Sequence, residues 1–162
     1  MRCEECGFSY DSVERDAIAA ALREVAGRWR EHLAPLVDAD RRPGPEVWSP
    51  IEYGCHVRDV LLSQRERLLL ALVEDSPSFR PMYRDERVVL ARYAGEAPAV
   101  VADEIVVAAD LLGRVFDGLD AAQLARTCTY NYPEPAVREL AWLGQHTVHE
   151  AEHHLLDASS RS

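Results

Sequence analysis

The run His149-Glu150-Ala151-Glu152-His153-His154 gathers more ligand-forming side chains than any other stretch of the chain. Two histidines four residues apart lie on one helix face, about one 5.4 Å turn from each other, close enough to share a metal ion. The same residues satisfy the H-E-x-x-H pattern of zinc proteases. Those enzymes take a third ligand downstream, but here only residues 154–162 follow, and Ser159 stands where the extended pattern needs histidine. The protease reading fails. A third ligand must come from elsewhere, and His56 is the strongest candidate. Three imidazoles on Zn²⁺ or Ni²⁺ leave a coordination position open, which makes a reactive site rather than a closed structural one. Glu150 is a candidate general base beside it, against the plainer reading of a solvated surface glutamate.

Periodicity alone does not choose which pair points inward. Glu150 and His154 have the same spacing as His149 and His153, and His146 shares a face with the latter pair. On a helical wheel the apolar Leu140, Gly144, Val148, Ala151 and Leu155 centre on the side away from His149. A candidate second metal site starts at Cys3-x-x-Cys6, half of a zinc knuckle. Closing it needs Cys55, Cys128, a histidine or a second subunit; a redox pair and an ordinary leader are the competing readings. Cys55, next to His56, points about 100° away around its helix and reads as packing. Glu52 and Asp59 flank His56 at helical spacing and are candidates to orient it. Asp85 is placed to reach a pocket mouth.

Four long helical segments must position these groups. The first is predicted from about Ser12 to Val37, with Asp11 and Glu14 as a capping box. The second has the best start signal: Ser49 as cap, Pro50 at the first helical position and Glu52 completing a capping box, running to about Glu74. A connection of about 20 residues follows, with a short helix over Asp85 to Tyr93. The third runs from about Pro98 to Phe116, and the fourth from about Pro135 to Asp157. Strand signals are nearly absent. The expectation is one all-α domain over 1–162, with 1–10 as a Cys-containing leader, folded as a four-helix bundle. His56 lies near the start of helix 2, and His149 and His153 lie near the end of helix 4. Their heights match only if helices 2 and 4 are antiparallel, which the long crossover between helices 2 and 3 permits.

Composition narrows the partners. Acidic residues outnumber basic ones 28 to 18, a net charge of −10, so nucleic acid and anionic membranes are disfavoured. No apolar run approaches a membrane span and no secretion signal is seen, so a cytoplasmic protein with reduced cysteines and a small-molecule substrate is expected. Bundles of this kind often pair, which leaves a homodimer open, although no clear exposed apolar stripe marks an interface. All the basic residues are Arg, a composition suited to a GC-rich genome.

Two segments carry a family resemblance. Trp48-Ser49-Pro50-Ile51-Glu52-Tyr53-Gly54-Cys55-His56-Val57-Arg58-Asp59-Val60 and His149-Glu150-Ala151-Glu152-His153-His154-Leu155-Leu156-Asp157 resemble the metal-bearing segments of the DinB-like superfamily. That superfamily includes the mycothiol-dependent maleylpyruvate isomerases. The resemblance implies that the first of two adjacent histidines is a ligand. It also implies a ligand four residues earlier, His in most members and Glu in the isomerases. Hence the expected set is His56, His149 and His153. It further implies zinc or nickel, and a low-molecular-weight thiol such as mycothiol as cosubstrate in a thiol S-transferase. A metal-dependent hydrolase and a non-catalytic metal-binding or stress-response module are the alternatives. The leader and Pro81-Met82-Tyr83-Arg84-Asp85-Glu86-Arg87 resemble an actinobacterial subgroup. Having His149 where the isomerases have Glu, and lacking their extra C-terminal domain, sets this chain apart from them.

Overall fold

The computed structural model describes residues 1–131 and 134–160. In chain order its helices are α1 (Ile18–Leu33), α2 (Pro50–Val73), α3 (Arg84–Leu90), α4 (Pro98–Asp117), α5 (Ala121–Leu124) and α6 (Leu140–Ser160). The four long ones form a bundle: α1 and α2 each pack against both α4 and α6, and α1 and α2 are nearly diagonal. Its centre is filled by Leu22, Trp29, Ile51, Leu61, Leu68, Ile105, Leu112, Leu140 and Leu143, all essentially inaccessible. Each such side chain stabilises the fold by about 1.5–3 kcal/mol relative to exposure. Trp29 adds a directional tie, donating its indole N–H to the Ala151 carbonyl at 2.9 Å.

Helix α2 begins as its sequence dictates. Ser49 accepts from the Glu52 amide, and the Glu52 carboxylate accepts from the Ser49 amide at 2.8 Å. Burial works to raise the pKa of Glu52, which is only 3% exposed. The paired bonds from Arg42 and those at Ser49 outweigh it and hold the carboxyl below its usual range. The start of α2, and with it His56, is thereby anchored to the loop before it. Tyr53 and His56 lie against His154 near the end of α6. At the other end of α2, the carbonyls of Ala71 and Glu74 accept from Arg126, whose own carbonyl accepts from Leu140 at the start of α6. The two helices therefore run in opposite directions.

Three expectations about the elements need correction. The first helix starts at Ile18, preceded by 3₁₀ turns at Tyr10–Ser12 and Arg15–Ala17. Asp11 accepts from the N-terminal amine instead of capping it. It stops at Leu33 because Pro35 has no N–H to continue the ladder. The last helix starts at Leu140, not near Pro135, because Ala136–Glu139 is a strand. This β3 pairs antiparallel with β2 (Thr127–Tyr130), and β2 pairs parallel with β1 (Ser78–Phe79). The chain is thus mostly helical, with a small three-stranded sheet. Thr127, Thr129, Tyr130 and Val137 are β-branched or aromatic, the side chains that suit such a surface. Among the described residues no helix is long and apolar enough to cross a membrane.

Two glycines mark where helices come closest. A Cβ on Gly144 would stand 2.7 Å from Ile18 and from Phe116. One on Gly54 would stand 2.6 Å from Leu33. Gly54 sits two residues before His56, so this close approach also sets the depth of the histidine.

Candidate metal centres

The structure divides the expected trio. His56 comes together with Glu150 and His154, whereas His149 and His153 come together with Cys3 and Cys6. Within each group the candidate ligand atoms all lie within 4.8 Å of one another. The wheel contains the signal for this division. At about 100° per residue, His154 lies about 80° from the centre of the apolar stripe, whereas His153 lies opposite it. His154 therefore turns toward the bundle and His153 toward whatever covers the outer side. That cover is the leader.

The inner cluster is built from α2 and α6. Glu150 and His154 are one turn apart, with Glu150 Oε2 3.9 Å from His154 Nε2. The His56 and His154 rings meet edge to face at 5.0 Å. His154 Nδ1 lies 3.1 Å from the Asp157 carboxylate, which fixes that nitrogen as the donor and leaves Nε2 as the one facing Glu150. His56 is 4% exposed, and its buried Nδ1 has no hydrogen-bond partner. Burial first, then the His154, Arg84 and Arg87 charges, push its pKa down to about 3. Its ring is neutral at pH 7 and keeps a lone pair for a cation. A buried orphan nitrogen beside a second imidazole and a carboxylate is a donor set that fits a divalent transition metal. Glu52 and Asp59 do not orient His56. Glu52 is held by Arg42, while Asp59 accepts from Arg58, Arg87 and Tyr93, tying the crossover to α2.

His56 and Glu150 form part of the wall of a cavity of about 280 Å³. The crossover and the sheet supply the rest, including Phe79, Met82 and Tyr130. Three guanidinium groups line it, those of Arg67, Arg80 and Arg84, and Asp85 reaches it as expected. Arg67 is fixed over the Phe79 and Tyr130 rings, and Arg84 lies over Trp48. Tyr83, at the cavity edge, has a left-handed backbone (φ 52°), an uncommon conformation for a tyrosine.

The outer cluster joins the two ends of the chain. In the leader, the Gly7 amide donates to the Cys3 carbonyl at 3.0 Å and the Cys3 amide to the Phe8 carbonyl at 2.8 Å. Gly7 supplies the positive φ (76°) that this turn requires. Phe8 and Tyr10 pack against His149. Burial, with Cys3 adjacent, pushes the Cys6 thiol up. Cys55 and Cys128 belong to neither cluster. Both are fully buried, their thiols raised by burial to about 12 and about 11, and they act as packing.

A helical bundle with inward-facing imidazole and carboxylate ligands defines the class: a four-helix metal-binding protein. The sequence profile of the DinB superfamily matches residues 21–158, and the chain belongs to that superfamily. A solved structure from Bacillus subtilis, YfiT, described as a probable metal-dependent hydrolase with an unusual four-helix bundle topology, shares the fold with a TM-score of 0.81. The two are 18% identical, over 91% of this chain and 85% of that one. None of the curated proteins matches the chain.

Proposed function

We propose that this protein is a metal-dependent enzyme that transfers a low-molecular-weight thiol of the mycothiol type to a small electrophile bound in the cavity. The observation that carries this reading is the pairing of Glu150, rather than His149, with His154 and His56. It is a Glu-x-x-x-His pair of the kind the resemblance gives the thiol-dependent isomerases, set here one residue later than the His149 and His153 positions that the resemblance implies, at the second of the two adjacent histidines. His56, Glu150 and His154 would hold zinc or nickel. With three protein ligands and a position left open, the ion would act as a Lewis acid, lowering the pKa of a thiol brought to it.

The chain's own groups supply the remainder. Asp157 keeps His154 in its ligating tautomer. Glu150, taken up in the ligand set, no longer serves as the general base expected of it. Arg67, Arg80 and Arg84 place positive charge in the cavity of a chain with net charge −10, which suits a carboxylated substrate or cosubstrate. The apolar walls from Phe79 and Met82 exclude water from the bound molecule.

A hydrolase is the second reading, favoured by Asp85 and Glu86 on the same cavity, where either could take a proton from water. One assay separates the two. Metal-loaded protein is incubated with a panel of electrophiles and esters, with and without mycothiol. Thiol consumed in step with electrophile supports transfer. Turnover that survives complete removal of thiol supports hydrolysis and overturns the first reading.

A further inference from the structure

We propose that Cys3, Cys6, His149 and His153 form a second, closed metal site, a four-ligand zinc centre that fastens the N-terminal leader to α6. It is separate from the inner cluster and does not depend on the function proposed for it.

The donor set is chemically specific. Two thiolates and two neutral imidazoles are the Cys₂His₂ set of structural zinc, and they neutralise the ion's double charge. With Zn–S and Zn–N bonds of about 2.3 and 2.0–2.1 Å, the edges of a tetrahedral site run about 3.3–3.8 Å. The present separations, all within 4.8 Å, close to those values with shifts of about 1 Å.

The nitrogens point the right way. His149 is 9% exposed, and its Nε2 is buried without a hydrogen-bond partner. Its Nδ1 lies 3.2 Å from the Tyr10 hydroxyl, which is also 2.8 Å from His146 Nδ1. A hydroxyl has one proton, so one imidazole must donate to its oxygen. With Tyr10 donating to His146 and His149 Nδ1–H donating to Tyr10, His149 Nε2 carries the free lone pair. His153 is arranged the opposite way round. Its Nδ1 is buried and unpartnered, while its Nε2 lies 3.5 Å from both the Glu5 and Asp157 carboxylates. Each ring therefore offers one bare nitrogen to the cysteines and has its other nitrogen beside an oxygen. That is the outer-shell pattern of a ligating histidine.

The leader is shaped for the same purpose. Cys3 and Cys6 lie on a tight turn closed by the Gly7 amide, within a short antiparallel contact between Arg2 and Ser9. Ion binding would release the two thiol protons and close the chain between its first and last segments. The site would also hold α6 in the rotation that turns Glu150 and His154 inward.

The test is metal analysis of the full-length protein purified under reducing conditions, beside Cys3→Ser/Cys6→Ser and His56→Ala/His154→Ala variants. The expected zinc-site equivalent is present in the wild type and the His56/His154 variant, and absent from the Cys variant. Failure of the inner site alone would leave one equivalent in the wild type, still lost with the cysteines. Cobalt substitution gives an independent readout should the Cys variant not fold. Wild-type protein should show thiolate-to-cobalt charge-transfer absorption with tetrahedral d–d bands. Equal metal content in the wild type and a folded Cys variant, no thiolate–cobalt band, or a stoichiometric Cys3–Cys6 disulfide in place of metal would each overturn the proposal.

Discussion

His153 and His154 are adjacent in the chain, yet their rings stand perpendicular, at 87° with centroids 5.3 Å apart; they share Asp157, and beyond it each approaches a different set of potential ligands. His154 turns toward His56 and Glu150, and His153 toward Cys3 and Cys6. The cause is the helix itself: one residue is about 100° of rotation, so two i,i+4 pairs in consecutive registers face different neighbours. Asp157 stands behind both, 3.1 Å from His154 Nδ1 and 3.5 Å from His153 Nε2.

Adjacent alanine substitutions should therefore separate cleanly. In a Cys3→Ser/Cys6→Ser background, which removes the thiolates of the outer cluster, His154→Ala should abolish metal binding while His153→Ala leaves it intact. Isothermal titration with zinc measures both. Loss on His153→Ala alone would restore the grouping of His56 with His149 and His153.

Asp157→Asn keeps the size of the side chain but removes the charge that orients two rings. Metal affinity should fall by about 10–100-fold at the inner cluster. Competition with a chromophoric chelator reads the change, and an unaltered affinity would leave Asp157 a bystander.

The metal-free protein should lose stability in mild acid. His56 and His146 are held down to about 3 and about 4, in each case chiefly by burial. Because these folded values lie below the ordinary 6.5, the unfolded chain binds more protons between about pH 6.5 and 4. Stability is complete above that window and declines as pH falls through it, by up to about 1.4 kcal/mol per pH unit for each histidine. Urea denaturation at pH 7 and pH 5 should show the decline, and His146→Asn should make it shallower.

Gly144→Ala should destabilise the fold by about 1–3 kcal/mol, since the added methyl meets both Ile18 and Phe116 at 2.7 Å. Thermal unfolding measures it. An unchanged Tm would mean that α6 can shift outward without cost, against the packing described.

Loss of the α2 cap is expected to be milder. Ser49→Ala removes the oxygen that accepts from the Glu52 amide and should cost about 1 kcal/mol in denaturant unfolding. Its effect on metal affinity reports how firmly the start of α2 holds His56.

By itself the sequence determined the presence of four long helices, the capping box at Ser49, the crossover, and the two segments that carry the candidate ligands. Those features rest on local rules: apolar periodicity, cap chemistry and the fixed φ of proline act within a few residues. It also confined the ligands to a handful of histidines, Glu150 and the leader cysteines. Only the tertiary structure decided which of them meet. The two registers of α6 differ by one residue, and each could be satisfied by ligands far away in the chain. The inner pair depends on α2 lying antiparallel to α6, and the outer pair on a leader more than a hundred residues away folding over it. The small sheet was hidden for the same reason. Ser78–Phe79 is too short to read as a strand until Thr127–Tyr130 lies beside it, because a strand is defined by its partner's hydrogen bonds and not by its own residues.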